Sequence, residues 1–553
     1  MDLTLKEKII NKKEIIYNIL FYSLFIIVCA ILFAKCKYGY ADIDETYYIQ
    51  IAHRIAQGDA LITEEWHICQ LFSYLLFPIV RLYMLFTNSF EGIVLAFRYI
   101  YTFVWGISSL FIYYEVKKFT KLGAIFSSLF FLIYAPFGIM ALSYNTFGIL
   151  FLTLSCVMNL SNNSPLRSII SGSFYAFSVL CCPTLALLLI FYFIYYLIIK
   201  KDKKQLLFFL LGILIQIIVF TVFVLSRTSI SKIMKSIPYI LGDSEHNGIN
   251  IIDKINSWFL AFYSNGNIYF ILIIGLVTIV SYFSRHKNIY FITLIAIILI
   301  LVNKMYSTHY YINFIVYPLA FIAPFLFQIN NIKIKNILYS VWIPGVIYSF
   351  CINIISNQVE YAIFSALSIA SFACISCIFI YIEDMNINNK TYSIFLRLFV
   401  CFAILLQIYL ELNVRWHPIF WDTYVSQQTI LIDKGPEKGI YVSEKKKEIY
   451  DYVMNASSKL DLKGKSVLFL TNDSLYYLIH NELRSSSYSS WVIPDNDYQD
   501  KYFGINPQKL PDYIFYPLNE NTKYEDVINH ISEKYNYIIL SENNSGILYK
   551  INH

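Results

Sequence analysis

Apolar runs of about 20 residues recur along most of this chain, and they restrict its fold more than any other feature. A helix of that length rises 1.5 Å per residue and so spans the hydrocarbon layer of a membrane. The composition agrees, because 57% of the residues are hydrophobic and only 14% are charged. The sequence therefore predicts a polytopic α-helical membrane protein with about 13 transmembrane helices.

Basic residues cluster between the apolar runs and predict the orientation of the chain. Lys6, Lys8, Lys12 and Lys13 precede the first run, and no small-residue cleavage site follows it. We therefore expect this run to remain as the first membrane helix, with a cytoplasmic N-terminus. An odd number of helices then places the C-terminus outside. The net charge of +6 comes from these loop clusters and does not indicate a nucleic-acid partner.

The pattern divides the chain into a membrane module over 1–414 and a C-terminal domain over 415–553. The first external loop covers about 35–90 and contains an apolar segment that is interrupted by Pro78. If that segment crossed the membrane, most later basic loops would face outside. We therefore expect it to lie in the membrane interface, while 227–265 forms a second external loop.

Beyond about residue 415 charged residues return and the apolar runs shorten. This change indicates a small external α/β domain. Buried strands are predicted at 466–470, 513–516 and 537–540, and helices at 445–454 and 524–535.

The ten cysteines indicate no disulfide framework. Cys36 and Cys69 fall in the first external loop, where they either form a disulfide or remain separate thiols. Cys374 and Cys377 have CxxC spacing, but they lie inside an apolar run and are interpreted as helical residues. The other cysteines are interpreted as small apolar residues.

Three carboxylates occur within four residues directly after the first apolar run, in the segment 42–48, Asp-Ile-Asp-Glu-Thr-Tyr-Tyr. This segment opens a predicted amphipathic helix that ends at Gly58. One face of the helix is apolar at i, i+3, i+4 and i+7 and consists of Tyr48, Ile51, Ala52 and Ile55.

Two interpretations of these acids are open from the residue pattern. In the first, Asp44 caps the helix and Glu45 favours its positive end. In the second, acids that begin a helix at the membrane surface carry out chemistry there.

The first loop also resembles that of a known class of enzymes. Three features are similar to those of the type C glycosyltransferases: the motif Asp44-Glu45-Thr46-x-Tyr48, a helix ending in Gly58-Asp59, and an interfacial segment before a helix with Arg98. Within that class the similarity is to the superfamily of protein O-mannosyltransferases and lipid A aminoarabinose transferases. It covers the whole architecture, from the helices to the external C-terminal domain.

Two shorter segments resemble the same family, and two depart from it. Residues 180–184, Leu-Cys-Cys-Pro-Thr, are similar to a helix ending in Lys-Pro-Thr, and 309–318 are similar to its His-Tyr…Pro helix start. Where the family has Glu-Lys-Pro-Pro, residues 67–70 of this chain are His-Ile-Cys-Gln. Where the family has an Arg between the Thr and the Tyr of its first motif, this chain has Tyr47. Aminoarabinose and lipid A are therefore not implied as substrates.

The resemblance implies transfer of a sugar from a polyprenyl-phosphate donor to an envelope acceptor outside a bacterial inner or plasma membrane. Asp44 would be the general base, with Glu45 beside it, and one direct displacement would invert the anomeric centre. Basic groups would stabilise the departing phosphate. The candidate phosphate ligands are Arg98, Arg227, Lys304 and His309. The candidate substrate-binding residues are Asp42, Tyr48, Glu65, His67, Tyr310 and Tyr311.

These candidates have structural alternatives. Arg98 has a possible ion-pair partner in Glu91, Lys304 is placed to reach the headgroups, and His309 is placed as an interfacial polar residue. Asp243, Glu245 and His246 are possible metal ligands, although no ligand motif supports a metal.

Two other functions are alternatives for a membrane protein of this composition. A transporter or flippase is disfavoured because the acids gather in an external loop instead of the helix centres. A non-catalytic component of envelope assembly is disfavoured by the acids around Asp44. The sugar and the acceptor are left open by the sequence.

Overall fold

A computed structural model gives the structure of the protein over the following residues: 3–160, 164–242, 250–263, 266–308, 315–356, 359–385, 390–458, 460–489, 491, 496–518, 525–544 and 546–552.

Helices form the first three quarters of the chain. They follow the predicted apolar runs closely, because each run buries an apolar face against its neighbours. In chain order they are α1 (Leu3–Lys35), α2 (Asp42–Gln57), α3 (Ser73–Thr87), α4 (Ile93–Val116), α5 (Lys121–Ile133), α6 (Tyr144–Met158), α7 (Pro165–Cys181), α8 (Leu188–Ile194), α9 (Lys203–Leu225), α10 (Ile230–Leu241), α11 (Ile251–Tyr263), α12 (Asn267–Phe283), α13 (Lys287–Thr308), α14 (Ala323–Phe327), α15 (Ile332–Ile337), α16 (Ile343–Ile355), α17 (Val359–Ala366), α18 (Ser368–Asp384) and α19 (Lys390–Trp416).

Within the described residues, eight helical stretches are long and apolar enough to cross a membrane, and a ninth is the pair α11–α12, bent by 85°. Four shorter apolar helices accompany them. The predicted polytopic helical class is confirmed. Some predicted helices are shorter in the structure, as α5 is: it ends before Pro136, because proline disfavours a helical conformation in the residue that precedes it.

Contacts between helix ends define two sides of the bundle. On one side, the Lys35 ammonium donates to the carbonyl of Trp416 at 2.8 Å, and Gly92 N–H donates to Gly435 of the C-terminal domain. On the other side, Lys117 at the end of α4 pairs with Glu14 near the start of α1 at 2.8 Å. The C-terminal domain therefore lies at the ends of α1 and α19 and at the start of α4.

The α3 helix has both ends on the side of the C-terminal domain. Trp66, shortly before it, donates its N–H to the carbonyl of Tyr488, and the Asn481 side chain donates to the carbonyl of Asn88 at its end. The stretch Gln70–Thr87 is long enough to span. Its ends nevertheless agree with the predicted interfacial placement.

The second predicted external loop contains two further helices that the sequence analysis did not predict. The α10 helix contacts the C-terminal domain through Tyr239, whose ring centroid lies 5.8 Å from that of Tyr498, and the same ring stacks on Trp66 of the first loop at 4.9 Å. The α11 helix contacts α16 through hydrogen bonds to Asn353. Asp243, Glu245 and His246 lie outside the described residues, so the metal alternative is not tested. Among described residues, no group of three His, Cys, Asp or Glu is placed to hold a metal.

The C-terminal domain is an α/β unit, and its predicted strands and helices are present. Its main sheet has five strands in the order β4-β3-β5-β7-β6, with β3 parallel to β4 and β5 and the remaining neighbours antiparallel. The helices cover both faces of this sheet. The elements are β1 (Ile430–Leu431), β2 (Tyr441–Val442), α20 (Glu444–Ser458), β3 (Ser466–Phe469), α21 (Leu475–Leu478), β4 (Arg484–Ser485), α22 (Asn496–Ile505), β5 (Tyr513–Pro517), α23 (Glu525–Tyr535), β6 (Tyr537–Asn543) and β7 (Gly546–Ile551).

Candidate active site

The α2 helix presents the acidic segment at the base of the C-terminal domain. Its apolar face is fully buried, as the 3.6-residue period predicts. The helix ends at Gly58, whose φ is 112°. Glycine adopts this left-handed conformation without a steric clash because it has no Cβ. The predicted end of the helix is confirmed, and the start lies at Asp42, three residues before Glu45, which would be the first helical residue if Asp44 were the cap.

Asp44 is not the cap of α2. The N-cap position is occupied by Ala41, which has no side-chain cap, and Asp44 is the third helical residue. Instead, the N–H of Ala41 donates to Oε1 of Glu45 at 2.8 Å. The capping interpretation of Asp44 is therefore wrong. Asp42 begins the helix, and its side chain lies outside the described residues.

Asp44 is half-buried and shares a helical face with Tyr48, one turn later. Burial, together with the negative charge of Asp44, raises the pKa of Tyr48 well above its usual value. The Tyr48 phenol consequently keeps its proton beside this carboxylate and is able to act as a hydrogen-bond donor.

Glu45 forms a buried ion pair with Arg98. The guanidinium donates from Nε and Nη2 to the two carboxylate oxygens, each at 2.8 Å, and from Nη1 to the carbonyl of Cys36, also at 2.8 Å. Glu91, the alternative partner of Arg98, pairs with Lys438 instead. Arg98 and Glu45 thus neutralise each other and fix the start of α2 against α4.

Cys36 lies beside this pair and forms no disulfide. Its thiol contacts the Thr102 hydroxyl at 3.3 Å. All ten cysteines lie in the described part of the chain, and none is bridged. The disulfide alternative for Cys36 and Cys69 is therefore wrong.

Arg54 holds the other end of α2. Its guanidinium pairs with Asp59 at 2.9 Å and with Glu65 at 2.6 Å. Lys509 of the C-terminal domain binds the second oxygen of Asp59, and the Tyr502 hydroxyl also contacts Arg54. Burial alone would lower the pKa of Arg54, but the two carboxylates outweigh this effect and raise the pKa.

This cluster of Arg54, Asp59, Glu65 and Lys509 is called the loop anchor below. Glu65 was predicted to bind substrate, yet it is completely buried within the loop anchor. Burial alone would raise the pKa of Asp59, but the positive charges of Lys509 and Arg54 outweigh this effect, and the pKa of Asp59 is lowered. The structure therefore places Glu65 where it positions the loop, away from any accessible surface.

His67 lies in an aromatic cluster between the bundle and the C-terminal domain. Its Nδ1 accepts the Cys69 N–H at 3.1 Å, so the neutral ring carries its hydrogen on Nε2. The ring centroid is 5.3 Å from Tyr47, 6.3 Å from Tyr144 and 6.2 Å from Trp491.

Tyr48 joins the same cluster through Tyr144, whose ring is 6.0 Å away. Tyr144, Trp491 and Asp44 are only partly buried, so this side of the cluster is accessible. The structure thereby brings together Asp44, Tyr48 and His67 among the predicted residues.

Arg227 lies at the far end of α2. Its Nη1 donates to the carbonyls of Ile55 at 2.6 Å and Asp59 at 3.1 Å, and its guanidinium lies 4.3 Å from the centroid of Phe223. Burial lowers its pKa, and the charge of Arg81 adds to this effect. Ile55 is eleven residues beyond Asp44, or roughly 16 Å along a helix. The structure therefore does not bring Arg227 to Asp44.

The remaining predicted residues are not shown to join this site. Lys304 lies near Asn267 at 3.5 Å and over the ring of Phe270 at 5.5 Å. His309, Tyr310 and Tyr311 lie outside the described residues, so their predicted roles are not tested.

Two solved structures match almost the whole chain. ArnT from Cupriavidus metallidurans, bound to undecaprenyl phosphate, is 11% identical, with 96% of this chain and 97% of that chain covered and a TM-score of 0.44. The archaeal oligosaccharyltransferase AglB from Archaeoglobus fulgidus, in complex with an inhibitory peptide and a dolichol-phosphate, is 10% identical, with 97% and 74% covered and a TM-score of 0.42. No family model and no curated protein matches the chain.

Both solved structures are of the class that the Asp44 motif resembles, as the sequence predicts. With TM-scores below 0.5, the likeness is too distant to assign this chain a substrate or a reaction.

Several residues near the site were missed by the sequence analysis. Lys446 of α20 lies over the ring of Tyr40, just before α2, at 5.6 Å. Nothing in the local sequence signals this contact across the domains. Glu411 and Arg415 are buried on α19, four residues apart. Their spacing inside an apolar run was a visible signal, because ionisable residues are costly in a membrane helix.

Proposed function

We propose that this protein is an integral membrane glycosyltransferase that moves a sugar from a polyprenyl-phosphate donor to an envelope acceptor by inverting direct displacement. The observation that carries the proposal is the placement of Asp44, half-buried beside Tyr48 at the accessible edge of the aromatic cluster. Glu45, Asp59 and Glu65 are buried in ion pairs that shape the loop. The donor class is the one that the motif resemblance implies.

The chemistry requires a base and a stabilised leaving group. Asp44 would take the proton of the acceptor hydroxyl as its oxygen bonds to the anomeric carbon. The bond from that carbon to the phosphate oxygen breaks, and polyprenyl phosphate leaves with the electron pair. One such displacement inverts the anomeric centre. The Tyr48 phenol is placed to donate a hydrogen bond to Asp44 or to the sugar.

The position of the donor phosphate follows from the length of α2. Reacting atoms must approach to about 3–3.5 Å, so a phosphate held by Arg227, roughly 16 Å from Asp44 along α2, is too distant to be the leaving group. Lys446, beside Tyr40 at the start of α2, is better placed. We therefore propose that the donor phosphate lies on the side of Lys446 and that Arg227 has a structural role at the end of α2.

The test uses the purified protein in lipid with a panel of radiolabelled polyprenyl phosphosugars and a cell-envelope extract. Asp44→Asn keeps the side-chain shape but removes the base, so we expect transfer to fall by about 10²–10⁴-fold. Glu91→Gln is the matched control, because Glu91 pairs with Lys438 at the surface, and it should retain activity. Equal transfer by Asp44→Asn and the parent protein would contradict the proposal.

The same assay tests the phosphate assignment. Lys446→Gln should raise the KM for the donor, whereas Arg227→Gln should change stability more than KM. The reverse result would indicate that Arg227, and not Lys446, binds the donor phosphate.

A further inference from the structure

A cavity of about 430 Å³ lies on the face of the bundle opposite the C-terminal domain. The turn between α4 and α5 forms one wall, and α1, α18 and α19 complete it. Glu383 is the acidic lining residue, and its Oε1 accepts a hydrogen bond from Thr120 at 3.0 Å. Four basic side chains line the cavity: Lys117, Lys118, Lys121 and Arg397.

Two of the four cations have acidic partners. Lys117 pairs with Glu14 and Lys118 with Glu115, each at 2.8 Å, and Glu115 also pairs with Arg167 at 2.6 Å.

The other two cations differ. The ammonium group of Lys121 lies over the ring of Tyr17 at 5.9 Å. Within the described side chains, neither Lys121 nor Arg397 has an ion pair. The cavity thus retains positive charge beyond what Glu383 offsets, and this charge favours an anionic ligand.

The lining is apolar on its other side. Leu122 of α5 and Cys401, which lies one turn from Arg397 on α19, are partly exposed there, with the buried Phe379 and Ile382 of α18 behind them. Cys401, Phe379 and Ile382 belong to helical stretches long enough to span the membrane. A ligand that fills this cavity therefore has a negative group at one end and an apolar part at the other. A free inorganic anion would leave the apolar wall unused.

We propose that this cavity binds the headgroup of an anionic membrane phospholipid, with its phosphodiester between Lys121 and Arg397 and its glycerol and first acyl carbons against Leu122 and Cys401. Basic pockets between membrane helices are suited to such headgroups. The site is independent of the transferase reaction, because it lies at the opposite end of the bundle from Asp44.

The test measures thermal unfolding of the full-length protein in a neutral detergent during titration with phosphatidylglycerol, phosphatidylcholine or inorganic phosphate. Phosphatidylglycerol alone should raise the Tm saturably. Lys121→Gln/Arg397→Gln should weaken its apparent affinity roughly 25-fold, since each basic side chain near an anionic headgroup contributes about fivefold. Lys203→Gln/Lys204→Gln is the matched control, because both lysines are exposed at the start of α9, and it should respond as the parent does.

Three results would overturn the proposal: an equal response to phosphatidylcholine, an unchanged affinity in the double variant, or full stabilisation by inorganic phosphate. The last would make the cavity a small-anion site.

A second measurement leaves the charges intact in case the double variant does not fold. Cys401 is half-buried in the cavity wall, and Cys29 is the other cysteine that is not fully buried. In Cys29→Ser protein, phosphatidylglycerol should slow alkylation of Cys401 at least severalfold relative to phosphatidylcholine. Equal alkylation rates in the two lipids would contradict the proposal.

Discussion

Asp44 and Glu45 are adjacent acids with different surroundings. A step of one residue turns a helix by about 100°, so the two side chains leave α2 in different directions. Glu45 points at Arg98 and receives three N–H groups, from that guanidinium and from Ala41. Asp44 faces Tyr48 and the accessible edge of the aromatic cluster. The ion pair thus fixes the orientation of the helix from which Asp44 projects.

Breaking the pair should destabilise the protein strongly. Arg98→Gln leaves the Glu45 carboxylate buried without its cation, which costs about 3–5 kcal/mol. The expected result is a large fall in the Tm in detergent. Lys438→Gln breaks the exposed pair with Glu91, which should cost no more than about 1 kcal/mol. Similar Tm values for the two variants would show that the buried pair does not hold α2.

His53 is a second buried ionisable residue of α2. Neither ring nitrogen has a hydrogen-bond partner among the described residues, and the ring lies edge-on to Phe90 at 4.5 Å. Burial lowers its pKa from 6.5 to about 4, although Asp59 acts in the opposite direction. The native protein therefore keeps His53 neutral where the unfolded chain would protonate it.

This pKa predicts a pH dependence of stability. Because the unfolded state binds the proton more tightly, the stability that neutral His53 contributes is fully present above pH 6.5 and is lost as the pH falls to about 4. The loss should reach about 3 kcal/mol at most. His53→Phe should flatten the Tm between these pH values. His286→Gln, at an exposed position on the opposite face, should leave the pH dependence unchanged.

At the level of helices and loops, the loop anchor connects the end of α2 to α22 and the turn that follows it. Arg54 bridges Asp59 and Glu65, and Lys509 joins Asp59 from the C-terminal domain. Asn506 adds a hydrogen bond to the carbonyl of Thr63 at 2.7 Å. The segment between Gly58 and Trp66 is therefore held by charges from both domains.

Removing Arg54 should release this segment. Arg54→Met leaves two buried carboxylates with a single remaining cation, Lys509, at a cost of about 3–5 kcal/mol. Hydrogen exchange should accelerate across residues 58–66 and across α22. Arg484→Met removes an exposed arginine of the same domain and should leave exchange unchanged. Unaltered protection at 58–66 in Arg54→Met would exclude the loop anchor as the main restraint.

For the molecule as a whole, basic residues concentrate on one side and the C-terminal domain on the other. Lys117, Lys118, Lys121 and Arg167 lie at the ends of α4, α5 and α7 opposite that domain. A positive-inside distribution would make this side cytoplasmic and place the C-terminal domain outside.

Labelling of introduced cysteines tests this orientation. Lys463→Cys, at an exposed position of the C-terminal domain, should react with an impermeant maleimide in intact cells. Lys333→Cys, exposed in the first turn of α15 on the opposite side, should react only after the membrane is opened. The parent protein, with most of its cysteines buried, provides the background. Reversed labelling would invert the topology and place Asp44 in the cytoplasm.

Much of the architecture was predictable from local sequence. Apolar runs predict the helices, because burial of a face or contact with lipid depends on residue type and period alone. Strands β3, β5 and β6 were predicted for the same reason, since they are short apolar runs in a charged domain. By contrast, β7 and α22 were missed, because they have weaker patterns and depend on their neighbours in the sheet and the loop anchor.

The class of protein and the candidate acidic segment thus follow from the chain alone, because hydropathy and the spacing of acids on a helix are local properties. Which acid faces accessible space was decided by tertiary structure. Arg98 comes from α4 to neutralise Glu45, and Lys509 comes from the C-terminal domain to bind Asp59. Trp491 closes the aromatic cluster from more than 400 residues beyond Tyr47. These partners are distant in sequence, and only folding brings their charges and rings within contact distance.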